Sequence, residues 1–322
     1  MARTSVGILR GGTSSEYDFS LKTGAAMMSA LPEERYEARD IFIDRGGVWH
    51  MRGIPMSPSR AISQIDVALN ALHGGAGEDG TVGRFLERAG IPYAGSSPLS
   101  SALSLNKIRT RDILISAGIR MPRGLGFTLG MPYTTGEMAY TVFQQFGPPY
   151  MVKPMSEGSS HGIRIASNLA VLPDVLADIL DTHGGAVVEE LLQGKEATVG
   201  VVRDFRGEQL YVLPPARVVL PPGARFLERA HRQNGLIDHI VPSDFGTAEK
   251  KRLMDVARVA HRALGLGAFS QADFIVDRRG PVLLEVDAHP ALYQGAAFPP
   301  MLESVGSSLG GFLEHSIALA RG

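Results

Sequence analysis

The sequence predicts an α/β protein whose N-terminal part is built on a parallel sheet. Strand-like and helical segments alternate between residues 6 and 90, the character of the chain changes after Pro98, and an acidic hairpin lies at 271–287. Strand–loop–helix alternation predicts parallel strands with loops at their carboxyl ends.

Composition limits the classes of function. The chain has 322 residues, 44% hydrophobic and 20% charged, which is typical of a soluble protein of two or three domains. The net charge of −1 implies no bulk attraction to nucleic acid or to an anionic membrane. The absence of cysteine excludes disulfides, Cys-ligated zinc and a thiol nucleophile. With no signal-peptide-like or membrane-spanning apolar run, we expect a cytoplasmic protein.

The N-terminal elements follow from apolar spacing. A strand over 6–10 leads into a glycine-rich loop, and Ser20 can cap the helix that follows. Further strands are predicted at 39–43, 48–52 and 67–72, and a helix ends at Gly90. Neither glycine-rich loop, 11–14 or 73–80, has the G-x-G-x-x-G spacing, so the sequence gives little support to an NAD site.

The second half mixes strands and helices. Strands are predicted at 150–154, 163–166, 186–192, 196–203 and 209–213, and helices at 99–117, 169–182, 247–264 and 302–321. Residues 220–239 form a long irregular stretch. Because long connections without secondary structure are often functional lids, we name residues 220–242 the lid segment.

The acidic hairpin is the most informative segment. Two strand-like runs flank Arg278-Arg279-Gly280, a hairpin signal. If Asp277 faces Pro281, then Asp273 faces Glu285, and Asp287 points to the same face. Like charges facing each other destabilise a sheet, so the cluster indicates a bound Mg²⁺ or Mn²⁺. The alternative is a solvated acidic hairpin edge.

Other candidate groups gain meaning from their order. Lys153 ends a strand before a loop rich in glycine and serine, an arrangement that can grip phosphates, although an edge-strand lysine would look the same. Glu189 lies where a strand end could bind an adenine edge. Lys107 lies on a predicted helix, where it would by default be a solvated surface residue.

Seven short motifs occur in a fixed order. They are Gly11-Gly-Thr-Ser-Ser-Glu16, Ala71-Leu-His-Gly74, Gly77-Glu-Asp-Gly-Thr81, Pro92-Tyr-Ala-Gly-Ser96, Ser104-Leu-Asn-Lys107, Val152-Lys-Pro154 and Glu157-Gly-Ser-Ser160. With Glu189, Glu196, Asp273 and Glu285, this order resembles the ATP-grasp superfamily, and within it the D-alanine–D-alanine ligase family, over nearly the whole chain.

The resemblance implies a fold and an activity. The fold would be a Rossmann-like domain at 1–96 and an ATP-grasp fold of two α+β subdomains at 97–190 and 191–322, the second with the metal site and the lid. The activity would be ATP-dependent joining of a carboxylate to an amine through an acyl phosphate. The implied partners are small amino-acid substrates and a second copy of the chain in a homodimer, with no nucleic acid and no membrane.

The resemblance also implies a role for each matching residue. ATP phosphates would be held by Lys107, Lys153 and Ser160, the adenine by Glu189 and Leu192, and the ribose by Glu196. Mg²⁺ would be held by Asp273, Glu285 and Asp287. At the amino-acid end, the catalytic positions would be Glu16, His73 and Ser159.

The chain diverges from the family where the second substrate should bind. Gln271 stands where the family has arginine, Asp287 replaces asparagine, Ala291 replaces glycine, and Ala296 replaces serine. The lid segment has no tyrosine, which the family uses beside the first substrate, and offers Arg229, His231 and Arg232. A ligase with another acceptor and a non-catalytic nucleotide-binding protein therefore stay open as alternatives.

Overall fold

The computed structural model describes residues 3–224 and 226–322 and is built on three sheets. Arg225, within the lid segment, lies outside the described residues. The strands of the first sheet are β1 Thr4–Gly11, β2 Tyr36–Ile43, β3 Trp49–Met51, β4 Ile54–Met56, β5 Val67–Asn70 and β6 Tyr93–Ala94. Their order is β4-β3-β2-β1-β5-β6, and β2, β1, β5 and β6 run parallel. The predicted parallel sheet is therefore confirmed, with β3 and β4 added as an antiparallel extension.

The second sheet is antiparallel. Its strands are β7 Gly124–Thr128, β8 Tyr150–Pro154, β9 Arg164–Ala166 and β10 Gly185–Glu190, in the order β7-β10-β8-β9. The strands in its middle, β8 and β10, carry Lys153 and Glu189, each one residue before the strand end.

The third sheet is also antiparallel and carries the acidic hairpin. Its strands are β11 Lys195–Phe205, β12 Glu208–Val212, β13 Ala216–Val219, β14 Asp238–Ile240, β15 Phe269–Asp277 and β16 Gly280–Asp287. The order is β14-β13-β11-β15-β16, with β12 paired to β11 as predicted. The central position of β11 and β15 fixes the hairpin on a rigid element.

Eleven α-helices in the described residues pack around these sheets. They are α1 Tyr17–Ala30, α2 Pro58–Ile62, α3 Thr81–Arg88, α4 Pro98–Leu105, α5 Lys107–Ser116, α6 Thr135–Gln145, α7 Leu172–His183, α8 Arg229–Gln233, α9 Thr247–Ala263, α10 Phe298–Glu303 and α11 Leu309–Arg321. None of the helices in 3–224 and 226–322 is long and apolar enough to cross a bilayer.

The structure corrects three predicted elements: two predicted helices are interrupted, and one segment predicted to be irregular contains secondary structure. The helix predicted at 99–117 breaks at Asn106, whose side chain accepts the backbone N–H of Arg109 and so starts a new helix at Lys107. The helix predicted at 302–321 breaks at Gly306, which has a φ of +69°. The lid segment, predicted to be irregular, contains α8 and β14.

The last helix packs against the first sheet. Ile8 and Leu69 of that sheet lie in one buried cluster with Phe312 and Ile317 of α11. Burial of these side chains gives the two ends of the chain a shared core. The loops of the first sheet are thereby held close to the acidic hairpin.

Candidate active site

One cavity of about 460 Å³ lies between the three sheets. All the site residues predicted from the sequence line it: Glu16, His73, Lys107, Lys153, Ser159, Ser160, Glu189, Leu192, Glu196, Asp273, Glu285 and Asp287. These residues come from all three sheets and their loops, so the cavity exists only because the parts of the chain pack together.

Lys153 and Glu189 form a buried ion pair. The ammonium Nζ lies 2.7 Å from Glu189 Oε2, and each residue is only about 5% exposed. Burial alone would lower the pKa of Lys153, but the carboxylates of Glu189 and Glu285 raise it above its ordinary value. A fixed ammonium therefore faces the cavity from β8.

Lys107 approaches the acidic hairpin from the start of α5. Its Nζ donates to the carbonyl of Glu157 at 2.6 Å and lies 3.5 Å from Glu285 Oε2. The charges of Lys107 and Lys153, which come from different elements, both lower the pKa of Glu285. Such paired cations suit a polyanion such as a chain of phosphates.

The hairpin brings Asp273 opposite Glu285, as predicted, but the strand register differs from the predicted one. Asp277 pairs with Gly280, not with Pro281, so the predicted loop was one residue too long. A register shift after Asp273, a β-bulge, restores the opposition. Burial and the charge of Glu285 raise the pKa of Asp273.

Asp273 is held on both sides. Its Oδ1 accepts hydrogen bonds from Thr198 Oγ1 at 2.6 Å and from Gln271 Nε2 at 3.1 Å. The third predicted metal residue, Asp287, pairs with Gln271 across the hairpin, and its pKa is raised by burial and by the charge of Glu78. Asp287 therefore lies toward the end of the cavity that Glu16, His73 and Glu78 line.

The carboxylates fit a magnesium ion completed by a nucleotide. Within 3–224 and 226–322 no group of three or more His, Asp or Glu side chains is arranged to hold a metal by itself. Mg²⁺ is commonly bound by one or two carboxylates together with phosphate oxygens. Asp273 and Glu285, which are directly paired across the hairpin and both line the cavity, supply that kind of donor set.

Glu16 and Ser159 meet at the other end of the cavity. The Ser159 hydroxyl donates to Glu16 Oε2, and the buried Oε1 has no hydrogen-bond partner among the described residues. Burial and the charge of Glu78 raise the pKa of Glu16. A buried carboxylate oxygen with unfilled capacity is a suitable partner for an ammonium group.

His73 is fixed by Thr23 and by a residue that the sequence analysis missed. Its Nε2 lies 2.8 Å from Thr23 Oγ1, and its Nδ1 lies 3.6 Å from Glu78 Oε1. Burial opposes the charged form, but the carboxylates of Glu78 and Glu16 raise the pKa of His73. Glu78 lies in the same glycine-rich motif as His73, which was the available signal.

Beyond the end of β10, Leu192 and Glu196 line the remaining wall. Burial and the charge of Asp273 raise the pKa of Glu196 to about 7. A second missed residue, Arg111 of α5, has Nη1 3.8 Å from Glu189 Oε1.

Comparisons with known proteins agree with this geometry. The family model "D-ala D-ala ligase C-terminus" matches residues 113–317, and "D-ala D-ala ligase N-terminus" matches 52–96. The D-alanine–D-alanine ligase of Desulforudis audaxviator is 33% identical, with 98% of each chain covered. That of Geobacter sulfurreducens is 34% identical over 90% of this chain and 85% of the relative.

The chain belongs to the D-alanine–D-alanine ligase family.

Solved structures of this family share the fold. The ligase of Bacillus anthracis complexed with ATP has a TM-score of 0.81 at 24% identity, covering 99% of this chain and 97% of the other. VanG D-Ala:D-Ser ligase of Enterococcus faecalis has a TM-score of 0.83 at 24% identity, covering 99% and 100%. The ATP-grasp fold predicted from the sequence is therefore confirmed. The ligase class predicted from the sequence is confirmed by the family models and the curated relatives.

Leu227 and Arg232 of the lid segment line the cavity. The Ser160 hydroxyl donates to the carbonyl of Leu227 at 2.7 Å, and Arg232 Nη2 lies 3.9 Å from Asp273 Oδ2. Arg229, one helical turn before Arg232, donates to the carbonyl of Ser15. Of the cationic lid residues noted in the sequence, Arg232 lines the cavity and Arg229 reaches the loop that carries Glu16. His231 instead accepts the backbone N–H of Glu228 at the start of α8.

Proposed function

We propose that this chain is an ATP-dependent ligase that activates the carboxylate of a D-amino acid, D-alanine by family relationship, and joins it to the amine of a second one. The observation that carries the proposal is the opposition, in one cavity, of Lys107 and Lys153 to Asp273 and Glu285 in a chain of this family. The product would serve peptidoglycan synthesis.

The nucleotide end is proposed from charge and position. Lys107, Lys153 and the Ser160 hydroxyl would hold the phosphates. Glu189 and the backbone at Leu192 would hold the adenine, and Glu196 the ribose. Two observations support this proposal. The ammonium groups of Lys107 and Lys153 line the cavity, and the end of β10 lines it as well.

The metal end is proposed from the oxygen donors. Asp273, Glu285 and Asp287 would hold Mg²⁺ or Mn²⁺, which would neutralise charge on the phosphates. The raised pKa of Asp273 supports this assignment because a cation would relieve the repulsion from Glu285. Asp287 lies on the same strand, two residues after Glu285.

The amino-acid end is proposed from unfilled hydrogen-bonding capacity. Glu16 Oε1 would accept a hydrogen bond from the ammonium group of the first amino acid. The hydroxyl of Ser159 would orient the carboxylate of Glu16 by donating to its Oε2. His73 would lie near the carboxylate of that substrate. Its raised pKa favours the charged form, which suits an anionic neighbour.

The reaction needs no protein nucleophile. A carboxylate oxygen of the first amino acid attacks the γ-phosphorus of ATP, and ADP leaves. The amine of the second substrate then attacks the acyl carbon, and inorganic phosphate leaves. The residues of this chain position the reactants and neutralise charge, which together supply most of the rate enhancement in such reactions.

The domain division at 1–96, 97–190 and 191–322, a homodimer and a cytoplasmic location are proposed on the family relationship. A ligase with a different acceptor is favoured by one observation: Gln271 donates its amide to Asp273 and offers the acceptor no charge. The second alternative from the sequence, a non-catalytic nucleotide-binding protein, is favoured by no observation in the described residues.

Phosphate release over a panel of D- and L-amino acids tests the proposal. We expect release to require ATP, Mg²⁺ and a D-amino acid, with D-alanine among the substrates. Release with another acceptor amine but not with D-alanine alone would favour the first alternative. Nucleotide binding without release under any condition would favour the second and reject the proposal.

A further inference from the structure

Arg229 ties the lid to the loop that carries Glu16. The guanidinium Nη2 donates to the backbone carbonyl of Ser15, 214 positions away in the sequence. The guanidinium carbon also lies 5.7 Å from the ring centroid of Phe19, within the range of a cation–π contact. A charge-assisted hydrogen bond and a ring contact therefore both hold α8 over the first turn of α1.

The same loop is tied to the serine-rich loop 155–162. The Ser15 hydroxyl donates to Glu157 Oε2 at 2.9 Å, and the Ser160 hydroxyl reaches the lid at Leu227. Three chain segments thus form a closed ring of contacts around the Glu16–Ser159 pair. A change in one of them is transmitted to the other two through short polar contacts.

The two arginines of α8 face different ends of the cavity. Arg232 approaches the acidic hairpin at Asp273, whereas Arg229 approaches the amino-acid end at Ser15. Residues three apart on a helix lie on one face, so a short helix can reach both ends at once. Arg229 Nη1 is buried and without a hydrogen-bond partner among the described residues, so its other contacts must hold it in place.

We infer that Arg229 is a positioning residue: by holding Ser15 it fixes the backbone of Glu16 when the lid lies over the cavity, and so couples lid closure to binding of the first amino acid. This inference rests on the proposed function for its kinetic consequence. Its structural consequence, ordering of residues 14–19 by the lid, stands apart from any activity.

Amide hydrogen exchange tests the structural consequence on the whole chain. In Arg229→Ala we expect exchange to rise about tenfold both in the lid and at residues 14–19, since one charge-assisted hydrogen bond is lost. Arg229→Lys should restore most of the protection because an ammonium can donate to the Ser15 carbonyl. Arg252→Ala, at an exposed arginine of α9, is the matched control and should exchange like the parent.

Steady-state kinetics test the coupling. Arg229→Ala should raise the KM of the first amino acid about tenfold, while the KM of ATP changes less than about twofold. Arg229→Lys should return the KM of the first amino acid to near that of the parent. Faster exchange confined to the lid, or equal changes in both KM values, would overturn the inference. A third outcome separates the two claims. If Arg229→Ala speeds exchange both in the lid and at residues 14–19, but the parent shows no amino-acid-dependent phosphate release, the proposed function is rejected and the positioning role of Arg229 stands.

Discussion

Lys153 Nζ lies 2.7 Å from Glu189 Oε2, in a pair that is almost fully buried at the wall of the cavity. Arg111 lies 3.8 Å from the other oxygen of the same carboxylate. Glu189 is therefore held between two cations, and one of them also faces the cavity. Under the proposed function, the pair would link the stability of the second sheet to nucleotide binding.

We expect Lys153→Met to weaken binding of a non-hydrolysable ATP analogue by about 1.5–3 kcal/mol, because a phosphate contact is lost. It should also lower the unfolding free energy, by up to about 3 kcal/mol, because Glu189 loses its nearest cation. Calorimetric titration and thermal denaturation measure the two effects.

The double variant Lys153→Met with Glu189→Gln separates those effects. It should regain much of the melting temperature, since no unpaired carboxylate remains, without regaining affinity. Recovery of affinity in the double variant would show that Lys153 acts only through the fold.

We expect substitutions of the two facing carboxylates of the acidic hairpin, Asp273 and Glu285, to change the melting temperature in different ways. Burial and Glu285 raise the pKa of Asp273, whereas Lys107 and Lys153 outweigh burial and hold the pKa of Glu285 below its ordinary value. Without metal at pH 7, Asp273→Asn should melt no lower than the parent, and Glu285→Gln should melt lower.

Both hairpin variants should lose turnover and most of the gain in melting temperature that Mg²⁺ and nucleotide give the parent. Differential scanning calorimetry with and without Mg²⁺ measures that gain. A full gain in either variant would exclude that residue as a metal ligand.

The parts of this fold that sequence could predict depend on local spacing. The strands flanking the glycine-rich loops and the opposition of Asp273 to Glu285 follow from periodicity and a hairpin signal. The bulge that restores that opposition depends on side-chain packing, which periodicity does not report. The contacts of Arg229 with Ser15 and of α11 with the first sheet join distant residues.

The same limit explains the missed site residues. Glu78 contacts His73 of its own loop, but it also interacts with His289 and Asp287, far along the chain. Arg111 acquires its role from Glu189, which is also distant in the sequence. Their spacing in the sequence is that of ordinary surface charges. The family motifs could mark Glu78 as part of a pattern but not what it contacts.

The ion pair between Arg120, which lies between α5 and β7, and Asp277, at the end of β15, predicts a pH dependence of stability. Their side chains form a two-pronged pair, with Nη1 2.9 Å from Oδ1, and Arg120 lowers the pKa of Asp277 from 3.8 to about 2. A depressed carboxylate pKa stabilises the fold above the unfolded pKa and ceases to do so as the pH falls through the folded one.

Asp277→Asn should therefore lower the unfolding free energy by about 1 kcal/mol at pH 6, and this difference should vanish as the pH falls to about 2. Denaturant titrations at several pH values measure it, with Asp112→Asn at an exposed position as control. A difference that is constant with pH would mean that the charge of Asp277 is not its source.

The residues expected to contact the second substrate, Gln271 and Ala296, predict that a double substitution will improve the use of D-alanine as acceptor. Gln271 donates to Asp273 and cannot pair with a carboxylate as a guanidinium does, and Ala296 offers no hydroxyl. Gln271→Arg with Ala296→Ser should lower the KM of D-alanine as acceptor by about tenfold and leave its KM as first substrate unchanged. An unchanged acceptor KM would show that other groups, such as Arg232, already hold that carboxylate.

Isotope transfer tests the central claim most directly. D-alanine labelled with ¹⁸O in its carboxylate is incubated with the parent, ATP and Mg²⁺, with Glu285→Gln as the inactive control. The ligase chemistry predicts one ¹⁸O in each released phosphate and an equal amount of D-alanyl-D-alanine, because the attacking carboxylate oxygen leaves with the phosphate. Unlabelled phosphate, or labelled phosphate without dipeptide, would contradict it.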